Sequence, residues 1–188
     1  FPSSIAIVGE KGSGKSTLVQ IIKSELFSDE ECIDIDVSQT VWKIEQILSL
    51  LGNCFDVSDA NRPETIVNAL NAREGKIIVN LEGLQKLYLR NINGFEALDA
   101  LLLIISETKD KVFWVCTCSS YAWEFLNKIE GIETHFTHTF LTDTLKESDI
   151  RKVIMNRHDK SANQEVIKRG SMTPKRCKSI LKKSISRS

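Results

Sequence analysis

Three glycines followed by a Lys-Ser pair constrain most strongly what this chain can fold into. They lie in the segment GEKGSGKS, residues 9–16, which has the spacing G-x-x-x-x-G-K-S at every fixed position. An apolar run precedes the segment at residues 3–8. A helical pattern follows at residues 15–27, where Leu18, Ile22 and Leu26 are four apart. The sequence therefore predicts a strand, a glycine-rich turn and a helix in that order.

Each residue type in this turn suits the binding of phosphate. Glycines allow backbone N–H groups to converge on phosphate oxygens, and the amino terminus of the helix adds favourable partial charge. We expect Lys15 to reach the β- and γ-phosphates, Ser16 to ligate magnesium and Thr17 to contact the α-phosphate. The predicted nucleotide-binding residues are Gly9, Glu10, Lys11, Gly12, Ser13, Gly14, Lys15, Ser16 and Thr17.

Strand patterns, either apolar runs or alternating apolar and acidic residues, alternate with helical patterns along the rest of the chain. Further strands are predicted at 32–37, 76–81, 112–117 and 137–141, with amphipathic helical segments between them. This order predicts an α/β fold, a parallel five-stranded P-loop NTPase sheet flanked by helices. In such sheets ligands bind at the carboxyl ends of the strands.

Polar residues at the end of the third predicted strand form a second candidate site. P-loop NTPases usually place an aspartate there to hold magnesium, and Asn80 occupies that position. An amide brings no charge, so an Asn80→Asp replacement is expected to tighten magnesium binding. Glu82 either polarises an attacking water or caps the strand end, and the sequence supports both interpretations. Ser16 and Asn80 are the predicted metal ligands, and Glu82 is a predicted catalytic residue.

With both sites placed, residues 3–160 resemble AAA+ and STAND-like ATPases. The loop matches fully, and the strand at 112–117 resembles their sensor strand. The resemblance implies that Thr117 or Ser119 senses the γ-phosphate. It implies a core at 1–142, the start of a small helical lid at 143–165, and ATP and magnesium as ligands. It also implies a nucleotide switch or slow ATPase acting with other domains of a longer chain, and a possible homo-oligomer.

Two departures from that class favour a switch over a motor. Ring ATPases usually place an arginine finger just before the fifth strand, but residues 130–139 contain no arginine. Little patterned sequence follows Ser161, so the lid is expected to be short or rearranged.

Other functions remain open. The chain could hold ATP as a structural ligand without hydrolysis, or act as a kinase on a small substrate with Asp34 or Asp36 as its base. A GTPase would need residues 127–130 as its guanine motif. The GTPase interpretation is disfavoured because that segment lies in a predicted helix instead of following a strand.

Charge is unevenly distributed along the chain. Residues 1–165 carry 25 acids and 17 cations, a net charge of −8, whereas residues 166–188 carry eight cations and no acid. The second segment is a basic tail or a fragment of a lid or linker. Nucleic acid or another anionic surface is a weaker candidate partner for it.

The remaining residues with metal-binding chemistry have simpler explanations. The five cysteines are odd in number and mostly lie in apolar segments, which indicates reduced thiols in a cytoplasmic protein. Cys116 and Cys118 are expected to pack in the core. His135 and His138 could share a metal, but we expect them to flank a strand. The chain begins at Phe1 without methionine, and we expect it to come from a longer protein.

Overall fold

The computed structural model describes residues 4–26, 31–142 and 147–162. Strands and helices alternate over these residues, as the sequence predicts. The strands are β1 (Ser4–Gly9), β2 (Glu31–Asp36), β3 (Ile77–Glu82), β4 (Val112–Cys118) and β5 (His138–Thr142). The helices are α1 (Lys15–Leu26), α2 (Ile44–Cys54), α3 (Pro63–Ala72), α4 (Glu96–Glu107), α5 (Ser120–Glu130) and α6 (Glu147–Ala162). Short 3-10 turns lie at Leu84–Lys86 and Ile132–His135.

The five strands form one parallel sheet in the order β2-β3-β4-β1-β5. Parallel register aligns Asp36 with Glu82, and Glu82 with Thr117. Thr117 in turn aligns with Ile7, close to the point where β1 leads into the glycine-rich turn. The carboxyl ends of all five strands therefore meet at one edge of the sheet, which confirms the predicted α/β architecture.

The two faces of the sheet are covered differently. Val79, Leu81 and Trp114 belong to the large buried cluster that also contains side chains of α2, α3 and α4. Ile5, Ile7 and Val115 form a smaller buried cluster with Val19 of α1. Side chains alternate along a strand, so Asn80 and Glu82 project from the face opposite Val79 and Leu81. That face is the one covered by α1.

The Cys116 and Cys118 pair packs in the core, as predicted. Both thiols are buried in the large cluster. Burial raises the pKa of Cys118 to about 12, so the thiol stays protonated at neutral pH. A protonated thiol is a poor metal ligand, because metals bind the thiolate.

The chain divides into two compact units, Phe1–Thr142 and Asp143–Ser188. The basic segment predicted at 166–188 lies outside the described residues. In the second unit the structure describes α6, in which Lys152 pairs with Asp149 at 3.4 Å. Among the described helices, none has the length and apolar character needed to cross a bilayer.

Candidate nucleotide-binding site

The glycine-rich turn connects the carboxyl end of β1 to the amino terminus of α1. Gly12 and Gly14 have φ angles of 85° and 92°, which L side chains rarely adopt. No atom of the described residues lies within 4 Å of a Cβ built on either residue, so the backbone conformation is what requires glycine there. The helical ladder of α1 starts with a bond of 2.9 Å from the Leu18 amide to the Gly14 carbonyl. The preceding amides at the helix start lack intrahelical acceptors and suit an anion.

Lys15 lies across this turn. Its ammonium donates to the carbonyl oxygens of Gly9 and Glu10, both at 2.8 Å. An ammonium has three donors, so this geometry leaves one N–H for a further acceptor. The side chains of Glu10 and Lys11 are exposed at the outer side of the turn. The Lys15 ammonium, which is predicted to bind phosphate, is thus held against the first two residues of the turn.

A carboxylate lies next to Ser16. The Ser16 hydroxyl donates to Glu82 Oε1 at 2.6 Å, which joins the first turn of α1 to the last residue of β3. A hydroxyl and a carboxylate are oxygen donors of the kind that Mg²⁺ prefers. This pair therefore fits a magnesium ion, and the acid comes from residue 82.

Asn80 faces a different partner. Its Nδ2 donates to Asp34 Oδ1 at 3.1 Å, and Lys23 of α1 forms an ion pair with the same carboxylate at 2.6 Å. Asn80 Oδ1 is buried without a hydrogen-bond partner among the described residues. The metal role predicted for Asn80 rests on this oxygen alone, whereas the residue that contacts Ser16 is Glu82.

The environment of Asp34 lowers the pKa of its carboxyl group. Partial burial by itself would raise that pKa, but the hydrogen bonds from Lys23 and Asn80 outweigh burial. Asp34 is consequently a weak base whose charge is already neutralised.

The two predicted sensor residues lie at the end of β4. Thr117 is buried, and its hydroxyl oxygen accepts a hydrogen bond from the Gly83 amide at 3.2 Å. Ser119 precedes α5, and its amide donates to Gln85 Oε1 at 3.3 Å. These two bonds tie the ends of β3 and β4 together, so Thr117 lies one strand away from Glu82 at the same edge.

Sequence reasoning missed Thr142. Its hydroxyl donates to the Val8 carbonyl at 3.1 Å and lies 2.7 Å from the Ser13 hydroxyl. The signal that could have found it is its position after the fifth predicted strand, because the carboxyl ends of parallel strands converge. Gln85 was missed as well, since it lies beyond the strand in a short 3-10 turn.

His135 and His138 lie close to the start of β5. His135 Nδ1 lies 3.2 Å from the Ser106 hydroxyl, and His138 is exposed on β5. Over residues 4–26, 31–142 and 147–162 there is no group of three His, Cys, Asp or Glu side chains that could hold a metal. His135 ends the 3-10 turn before β5, and His138 is the first residue of β5.

The strand order and the phosphate-type turn after β1 together define the fold of the core. The core has the fold of AAA+ P-loop ATPase domains. No protein-family model matches the sequence, and no curated protein matches it either.

Solved structures share this fold at low sequence identity. The Aeropyrum pernix ORC1 protein in complex with DNA has a TM-score of 0.63 and 15% identity, over 85% of this chain and 44% of that one. CDC6P from Pyrobaculum aerophilum has a TM-score of 0.61 and 12% identity, over 84% and 43%. C. elegans PCH-2 has a TM-score of 0.56 and 14% identity, over 92% and 43%. The present chain thus spans less than half the length of these proteins.

Proposed function

We propose that the chain is a magnesium-dependent ATP-binding domain of the AAA+ or STAND-like kind, which acts as a nucleotide switch or slow ATPase within a larger protein. The observation that carries the proposal is the 2.6 Å contact of Ser16 with Glu82 beside a complete phosphate-type turn. The turn supplies donors for phosphate, and the pair supplies oxygens for a cation. Each half needs the other, since a nucleoside triphosphate usually binds together with magnesium.

The residues of the chain divide the work by charge. The amides at the start of α1 and the Lys15 ammonium would bind phosphate oxygens. Ser16 and Glu82 would hold magnesium, which would neutralise phosphate charge when bound. Thr117, buried beside Glu82, would respond to the terminal phosphate. We propose ATP rather than GTP as the ligand, because the candidate guanine motif at residues 127–130 lies within α5 and does not follow a strand directly.

We expect slow or absent hydrolysis because the residue after Glu82 is a glycine. The next residue, Gly83, has a φ of 98° and no side chain that could orient a water molecule. Glu82 itself is engaged by Ser16, which favours a metal role over a general-base role. No arginine is present at residues 130–139 to supply charge from a neighbouring subunit. If the protein does not hydrolyse ATP at all, the same site would hold ATP as a structural ligand.

A small-molecule kinase is less well supported. Asp34 is held by Lys23 and Asn80, and its pKa is lowered, so it would be a poor base. Asp36 is aligned with Glu82 and is exposed, as a residue on a solvated strand end would be. Nucleic-acid binding by residues 166–188 rests only on their composition, although ORC1 has been solved with DNA.

The proposal is tested by calorimetric titration of the protein with ATP and with GTP, with magnesium and with EDTA. We expect magnesium-dependent binding that prefers ATP. Lys15→Ala should weaken binding by at least about a hundredfold, because Lys15 is expected to reach both the β- and γ-phosphates and its loss removes two charge-assisted contacts. Lys128→Ala, which removes an exposed lysine of α5 outside the predicted site, is the control and should bind nearly as the parent does. Equal weakening by both variants, or no ATP binding by the parent, would contradict the proposal.

A further inference from the structure

We propose that Thr142 is a positioning residue of the phosphate turn, acting through Ser13 and without touching the nucleotide. The inference rests on the proposed function and adds the element that holds the turn in its binding conformation. Thr142 is the last residue of β5, which lies beside β1 in the sheet.

The hydrogens at this contact can be assigned. Thr142 donates its single hydroxyl hydrogen to the Val8 carbonyl at 3.1 Å. In the 2.7 Å contact with Ser13 it must therefore accept, and Ser13 must donate. The Ser13 hydroxyl hydrogen thus points toward β5 and not toward the phosphate position. In addition, the Ser13 amide donates to the Glu10 carbonyl at 3.1 Å. Both donors of Ser13 are used to shape the turn.

Steric fit supports the same assignment. A Cβ built on Gly9 would lie 1.7 Å from Thr142 Oγ1 and 2.7 Å from Ser13 Oγ. The hydroxyl of Thr142 therefore occupies the space beside Gly9 that any other residue would need. Gly9 begins the turn, so Thr142 contacts it at its first residue and, through Ser13, near its middle. A turn held at both points loses less conformational entropy when it binds phosphate.

The first test uses the nucleotide-free protein and measures hydrogen exchange of the amides at residues 9–16. Thr142→Val keeps the shape but removes the hydroxyl, and we expect it to speed exchange in the turn by about fivefold, the scale of one lost hydrogen bond. Thr142→Ser keeps the hydroxyl and should exchange as the parent does. Thr139→Val makes the same change three residues earlier in β5 and is the matched control.

The second test measures ATP affinity in the same proteins. Thr142→Val should weaken ATP binding by about fivefold, and Thr142→Ser should restore it. Ser13→Ala should weaken ATP binding to a similar extent. The double variant Ser13→Ala/Thr142→Val should bind ATP no more weakly than the weaker-binding of the two single variants, because both substitutions remove the same contact.

The outcomes separate the inference from the proposed function. Faster exchange over the whole core, an effect of Thr139→Val equal to that of Thr142→Val, failure of Thr142→Ser to rescue, or additive single effects would each overturn the positioning role. If the parent binds no ATP, the proposed function fails, and the exchange measurement still decides whether Thr142 holds the turn. If the parent binds ATP and Thr142→Val binds equally well, only the positioning role fails.

Discussion

Two polar contacts lie on the same face of the sheet, two residues apart along β3. They differ in whether their negative charge is balanced by a cation of the protein. At residue 82, a carboxylate and a hydroxyl meet, with no cation among the described residues bonded to either one. At residue 80, the amide donates to Asp34, and Lys23 forms an ion pair with the same carboxylate, so the negative charge of Asp34 is already balanced. The Glu82 carboxylate can therefore bind a cation from solution, whereas the Asp34 carboxylate is already paired with the Lys23 ammonium. A polar strand end is therefore not a metal site merely because it lies near a phosphate-type turn.

Among the changes that test this comparison, removing the charge at residue 82 is expected to have the largest effect. Glu82→Gln keeps the shape of the side chain, but it should weaken magnesium-dependent ATP binding by about tenfold, the scale of one charge-assisted contact. Asp34→Asn makes the same chemical change on the same face and should stay within about twofold of the parent. Calorimetry with magnesium and with EDTA measures both. A larger loss from Asp34→Asn would reverse the comparison.

A smaller effect is expected when a second carboxylate is placed at residue 80. From the sequence, Asn80→Asp is expected to tighten magnesium binding. The structure places the new carboxylate against Asp34, so we expect a loss of about 1 kcal/mol in the free energy of unfolding at neutral pH, from one lost hydrogen bond and like-charge repulsion. Urea denaturation measures this loss.

A matched double variant sharpens the Asn80 experiment. Asp34→Asn in the Asn80→Asp background restores one carboxylate and one amide, and it should recover most of the lost stability. Tighter magnesium binding with unchanged stability in the single variant would show instead that residue 80 faces the cation.

The smallest effect concerns pH. Asp34 has a folded-state pKa below its ordinary value of about 3.8, so its contribution to stability is complete above that pH and is lost as pH falls through the folded-state pKa. Lys23→Met removes the main partner, so the stability difference between parent and variant should shrink below about pH 4. The side chain of Asp34 is 60% exposed, and solvent screening limits the difference to a few tenths of a kcal/mol.

Thermal denaturation from pH 2.5 to 7 measures this effect, with Lys128→Met as a control that removes an exposed lysine of α5. A difference between parent and Lys23→Met that stays constant over the whole range would mean that the ion pair does not shift the titration of Asp34.

Much of the architecture could be predicted from local patterns. Apolar runs predicted β1, β3 and β4, because a strand covered on both faces shows a continuous apolar segment, and the alternation of apolar and acidic residues predicted β2. Strand bounds differed from the predicted ones by at most one residue, as at β4, which extends to Cys118. The turn was predictable because its spacing and its glycines are set within eight residues. Thr142 was not, since its partners Val8 and Ser13 are more than a hundred residues away in sequence.

The sequence by itself determined the phosphate-type turn, the alternation of strands and helices, and the parallel sheet. Those features depend on spacing and periodicity, which are local. Only the tertiary structure decided which polar residue of β3 meets Ser16. Asn80 and Glu82 have the same parity and project from the same face, so alternation cannot choose between them. The register of β3 beside β4 and the position of α1 over that face bring Glu82 to the start of the helix and leave Asn80 opposite Asp34.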